Sequence, residues 1–182
     1  MTSPREILDF WSGTVGEKRW YVTEPQLDEL IRVRYENLWR EARAGGLSSW
    51  EETPEGALAL VIVLDQFPRN MFRGTADAFA SDALARGVAE RAIAHGFDLH
   101  IEPPLRHFFY MPLEHSESLA DQDRSVALFA ERLGENHYTY PYALGHRAEI
   151  ARFGRFPSRN KALGRVSTPE EQAFLDGKMK RD

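Results

Sequence analysis

Residues 53–70 read TPEGALALVIVLDQFPRN. The stretch opens as helices open: Thr53 as N-cap, Pro54 at the first helical position and Glu55 in the first turn. It continues as ALALVIVL, residues 57–64, with no polar residue. Val61, Ile62 and Val63 are β-branched and would also suit a buried strand. The Thr-Pro start and the alanine and leucine content predict a helix. A helix that is apolar all round has no solvent face, so it is expected at the centre of the fold. Phe67-Pro68 is expected to end it, because Pro68 has no N–H and the residue before a proline avoids the helical region. Arg69, Asn70 and Arg73 would then meet the free carbonyls at its end, with Asp65 as an ion-pair partner.

Working outward, the same punctuation recurs. Ser3-Pro4-Arg5-Glu6 is a capping box ahead of Ile7, Leu8, Phe10 and Trp11. Thr23-Glu24-Pro25 opens a helix with Leu27, Leu30, Ile31, Tyr35 and Leu38 at helical spacing, closed by Gly45-Gly46. A long helix is expected over 76–95, burying Ala80, Leu84, Val88 and Ala92. A short one is expected at 103–110, another over 117–133, and another over 138–153 with Tyr142, His146, Ile150 and Phe153 on one inward stripe. Thr168-Pro169-Glu170-Glu171 starts the last. No hairpin or βαβ pattern appears. The fold class is all-α, about seven or eight helices in one domain over 1–182.

Composition narrows the function classes. The net charge is −5, which argues against general nucleic-acid binding. There is no cysteine, which removes disulfides, thiol catalysis and cysteine-based zinc sites. The longest aliphatic run has eight residues, against roughly 20 for a membrane-spanning helix. MTSPREILDFW does not read as a secretory signal, so a cytoplasmic location is expected. No Walker loop, GxGxxG or HExxH is present, and the histidines show no metal-ligand spacing; no cofactor or metal is expected.

Three stretches could carry chemistry. DQFPRNMFRG, residues 65–74, has an echo in GRFPSRN, residues 154–160. As structural features, both tie helix ends. As binding features, Arg69, Asn70, Arg73, Arg155, Arg159 and Asn160 would hold a small anionic ligand or an acidic peptide. The second copy, from Arg155 to Arg165, contains no acid, and that local surplus of positive charge favours the binding reading. The third stretch, MPLEHSESL at 111–119, offers Glu114, His115, Ser116 and Glu117 for acid–base work. The same residues would also cap the following helix. The catalytic candidates are His115, Glu117 and His146.

LDQFPRNMFRG with AFASD after it, then FFYMPLEHSE, then HRAEIARFGRFPSRNKALGRVSTPEE together resemble the signature segments of the bacterial family called domain of unknown function 924. The resemblance runs from the first helix to Phe174-Leu175. It implies helices stacked as antiparallel pairs, similar to tetratricopeptide-repeat proteins, and brings no activity, cofactor or catalytic residue. Three functions stay open: a binding module with both arginine segments in one pocket, a hydrolase with a histidine–glutamate pair and arginine stabilisation, and an interaction scaffold. A homodimer is also allowed.

Overall fold

Residues 2–177 are described by a computed structural model. Among them no strand occurs, and the chain is all-α. No described helix is long and apolar enough to cross a membrane. Two compact units are present: residues up to Arg73 with Asp77–Pro112, and Gly74–Ala76 with the chain from Leu113 onward.

The first unit is built on the apolar stretch. Helix α1, Pro4–Asp9, starts with the Ser3–Glu6 capping box formed in both directions. It runs into a wide turn, Phe10–Val15, that buries Phe10 and Trp11. Helix α2, Pro25–Arg43, buries Leu27, Ile31, Tyr35 and Leu38. Its N-cap is Glu24, without a side-chain cap, so the Thr23 box expected from the sequence does not form. Helix α3, Pro54–Val61, is capped by Thr53 and buried from Gly56 to its end. A Cβ on Gly56 would fall 2.2 Å from the Trp50 carbonyl oxygen, so only glycine lets the turn at 48–52 pack there.

The central helix does not stop at Phe67-Pro68. It widens through Ile62–Gln66, where the Phe67 N–H reaches the carbonyl of Ile62, and continues as α4, Phe67–Met71. In a regular helix the proline ring clashes with the carbonyl four residues back and leaves it without an N–H. The wider turn relieves the crowding. The stranded carbonyl is that of Leu64. It accepts a hydrogen bond from the Ser81 hydroxyl at 2.5 Å, and Ser81 in turn accepts one from Trp39 Nε1 at 2.9 Å. The segment after α4 is also not one long helix. A turn at Ala76–Phe79 precedes α5, Asp82–Ala94, and the buried stripe is Ala85, Val88, Ala89 and Ala92. Leu84 is exposed. Helix α3 packs against α1 and α5, and α4 against α2. A turn at Leu105–Phe109 leads to the short α6, Met111–Glu114.

In the second unit α7, Leu119–Leu133, packs on α8, Tyr140–Phe153. Ser118 caps α7 through the Asp121 N–H. Arg147 of α8 reaches Asp123 of α7. Beyond Gly154 a loop leads to α9, Pro169–Leu175, whose Thr168–Glu171 capping box forms as expected. Ile150 is buried, but Tyr142 is exposed rather than inward.

Candidate functional site

The first arginine segment is an ion-pair cluster inside the first unit. Arg69 holds Asp82 with its two terminal guanidinium nitrogens, at 2.9 and 3.0 Å. The same group donates to the carbonyl of Asp65 at 2.6 Å and lies 3.2 Å from its carboxylate. Asp65 is fully buried and also accepts from Gln66 Nε2. Arg73 grips Asp28 with two bonds, and Asn70 adds a third. Burial works against a charge on Asp28, but the bonds from Arg73 and Asn70 win and hold its pKa below the ordinary range. Three carboxylates therefore meet two arginines.

The second segment belongs to the second unit, and its apparent surplus of positive charge is matched by acids from other elements. Arg155 holds Glu171 of α9 at 2.6 and 2.8 Å. Asn160 Nδ2 lies 3.3 Å from the same carboxylate, and the Thr168 N–H donates to it at 2.7 Å. The Arg155 bonds, then that backbone N–H, lower Glu171 to about 2. Arg165 holds Glu117 at 2.8 and 3.0 Å, and the Phe156 N–H donates to Glu117 as well. Glu117, a catalytic candidate by sequence, thus anchors the loop. Burial raises its pKa, but the Arg165 bonds and the Phe156 N–H outweigh that and leave it lowered. Arg159 donates to the His115 carbonyl at 2.8 Å and lies 4.4 Å above the Phe156 ring.

One histidine–carboxylate contact joins α8 to α6. His146 Nδ1 of α8 lies 2.6 Å from Oε1 of Glu114, with the glutamate side chain 4% exposed and the histidine 37%. The approach is off the line of an N–H hydrogen bond. Gln122 of α7 pins the backbone around Glu114, donating to the carbonyls of Glu114 and Ser116 at 2.6 and 2.7 Å. The buried His115 ring stands 6.5 Å from that of His146, and the Phe156 ring packs edge-on to His146 at 5.4 Å. Ser116 Oγ is committed to Asp121. So His146, His115, Glu114, Phe156 and Arg159 are linked within one unit.

Glu114 was visible in the sequence as an acid beside His115. Its partner is instead His146, 32 residues on, which no local pattern marks. A cavity of about 410 Å³ in the first unit, lined partly by Asp9, Glu17, Glu55, Glu102 and Trp20, contains none of the sequence-predicted site residues. Among the described residues, no group of three or more histidine or acidic side chains converges as a metal site.

The family model described as a bacterial protein of unknown function, DUF924, matches residues 7–178. The chain belongs to the DUF924 family. A solved structure of a protein of unknown function from Agrobacterium tumefaciens is similar to this DUF924 chain, at 39% identity and a TM-score of 0.90. It covers 96% of this chain and 97% of its own. No curated protein matches. The segments that carry the DUF924 resemblance now have physical roles. DQFPRN and AFASD meet in the Arg69–Asp82 and Leu64–Ser81 contacts. MPLEHSE and HRAEIARFGRFPSRN meet in the Glu114–His146, Arg159–His115 and Glu117–Phe156 contacts.

Proposed function

We propose that the second unit carries a hydrolytic site for a small ester, with His146 as general base and Glu114 as the group that orients it. The observation behind this reading is the half-exposed His146 held 2.6 Å from a buried carboxylate. A carboxylate at Nδ1 fixes the ring, favours a proton there and leaves Nε2 to work on substrate. Nε2 takes a proton from water, and the water oxygen bonds to the ester carbonyl carbon as the carbonyl becomes an oxyanion. The oxyanion collapses, the bond to the leaving oxygen breaks, and that oxygen takes the proton from Nε2. Ester and water become acid and alcohol, and His146 returns to its starting state. Arg159, seated on the Phe156 ring that flanks His146 and bonded to the His115 carbonyl, adds to the positive field in which the oxyanion forms.

The reading as an anion-binding module has less support. Arg69, Asn70, Arg73, Arg155 and Asn160 each already serve a carboxylate, which a ligand would have to displace. Arg159 is engaged as well, donating to the His115 carbonyl and adding to the positive charge that lowers Glu117.

A panel of p-nitrophenyl acetate, 2-naphthyl acetate and p-nitrophenyl phosphate tests the proposal. Turnover of at least one carboxylic ester is expected, falling about 100-fold or more in His146→Ala, the scale of a lost general base. Silence across the panel, or turnover untouched by His146→Ala, would reject it.

A further inference from the structure

A second cavity of the first unit, about 350 Å³, is walled in part by the wide turn Phe10–Val15, and Glu6, Asp9, Arg34 and Tyr35 complete its charged side. That volume suits a small ligand, and wide helical turns recur at functional sites. Arg34 sits over the Phe10 and Tyr35 rings, 5.0 and 5.2 Å from their centroids. Among the described residues it makes no ion pair and no hydrogen bond. The rings hold the guanidinium in place and leave its N–H donors unused. Tyr35 is 3% exposed, and its hydroxyl makes no hydrogen bond among the described residues either. A buried tyrosine hydroxyl ordinarily has a partner. Burial raises the pKa of this one, and the charges of Arg34 and Glu6 both act on it, so the three groups meet at one cavity.

Glu6 is restrained as well. It accepts from the Ser3 N–H and hydroxyl, at 2.6 and 2.9 Å, through Oε2 alone. Those bonds hold its pKa below the ordinary value, and the Arg34 charge adds to the effect. The two opposite charges thus feel each other without closing into an ion pair, because the capping box holds one and the aromatic rings hold the other. Asp9, the other carboxylate of the wall, is gripped by Arg5 through both oxygens. What is left is one fixed cation and one fixed anion a short way apart, which complements a small ligand carrying both charges close together. We infer that this cavity binds an α-amino acid, its carboxylate on Arg34 and the Tyr35 hydroxyl and its ammonium on Glu6 Oε1. The guanidinium fork matches a carboxylate, and both ends of the ligand gain charge-assisted hydrogen bonds. The site shares no residue with the hydrolytic reading of His146 and does not depend on it.

Ligand-observed NMR with L-alanine, L-leucine and L-phenylalanine tests the site. Each is paired with the acid that lacks the ammonium and the amine that lacks the carboxylate (4-methylpentanoate and 3-methylbutylamine for leucine). At least one amino acid is expected to bind, about tenfold or more tighter than either of its one-charge analogues. Arg34→Gln and Glu6→Gln should each weaken that binding by about tenfold. Glutamine also serves at this position of a capping box, so Glu6→Gln removes the charge and keeps the helix start. Tyr35→Phe separates recognition from folding. It should weaken binding about threefold to tenfold without lowering the melting temperature, because the hydroxyl makes no hydrogen bond among the described residues.

The inference is overturned if none of the three amino acids binds the wild type, or if Arg34→Gln and Glu6→Gln bind as tightly as the wild type does. It is also overturned if a one-charge analogue binds as tightly as its amino acid, which would make the cavity a plain anion or amine site. A Tyr35→Phe protein that melts lower and binds unchanged would assign the hydroxyl to the fold and remove it from the site.

Discussion

Glu171 shows how much of this fold hangs on single side chains. It is buried, and it answers Arg155, Asn160 and the start of its own helix at once. Its pKa falls from the ordinary 4.5 to about 2, chiefly through the Arg155 bonds. In that interval the folded chain binds fewer protons at Glu171 than the unfolded chain does. The stabilisation is therefore complete above about pH 4.5 and is lost as the pH falls towards about 2. Urea unfolding across this range should show the midpoint of the wild type dropping faster than that of Glu171→Gln, which starts lower at neutral pH. Equal slopes would remove Glu171 from the acid response. The sequence hid this role because the acids that neutralise the arginines lie far along the chain. Asp28 is 45 residues from Arg73, and Glu117 is 48 from Arg165. A count of charge within the Arg155–Arg165 window sees only the cations.

At the scale of elements, helix starts and buried faces were legible. Ser3, Thr53 and Thr168 cap as their patterns say, and the all-apolar run is the buried centre of its unit. What proved illegible was how a helix passes a proline. Pro68 reads as a stop because it lacks an N–H, but the chain provides that bond from another element through Ser81. This arrangement makes a coupled prediction. Ser81→Ala strands the Leu64 carbonyl and the Trp39 N–H, and should cost about 1–3 kcal/mol of stability. In a Pro68→Ala background residue 68 can again supply an N–H, so the same Ser81→Ala change should cost measurably less. Chemical denaturation of the four proteins gives the coupling, and equal costs in both backgrounds would contradict the explanation. Two differences in helix phase have a plainer cause. Alanines at 80, 85, 89 and 92 fit more than one helical stripe, so burial of Ala85 rather than Leu84 was not decided by spacing. Tyr142 shares a period with Ile150, which predicts it inward, yet it lies at the exposed start of α8.

On the scale of the whole molecule, each arginine segment is neutralised within its own compact unit, and the echo between them reflects a shared way of tying chain segments. The Agrobacterium relative shares the fold at 39% identity and brings no activity with it. Function must then be sought where polar groups are not consumed by the fold, and the Glu114–His146 contact fits that description best. Glu114→Gln tests it most directly, because the amide keeps the shape of the side chain and removes only the charge that orients His146. With 2-naphthyl acetate, kcat/KM is expected to fall about 100-fold while the melting temperature stays near that of the wild type. A kcat/KM equal to that of the wild type would contradict the account.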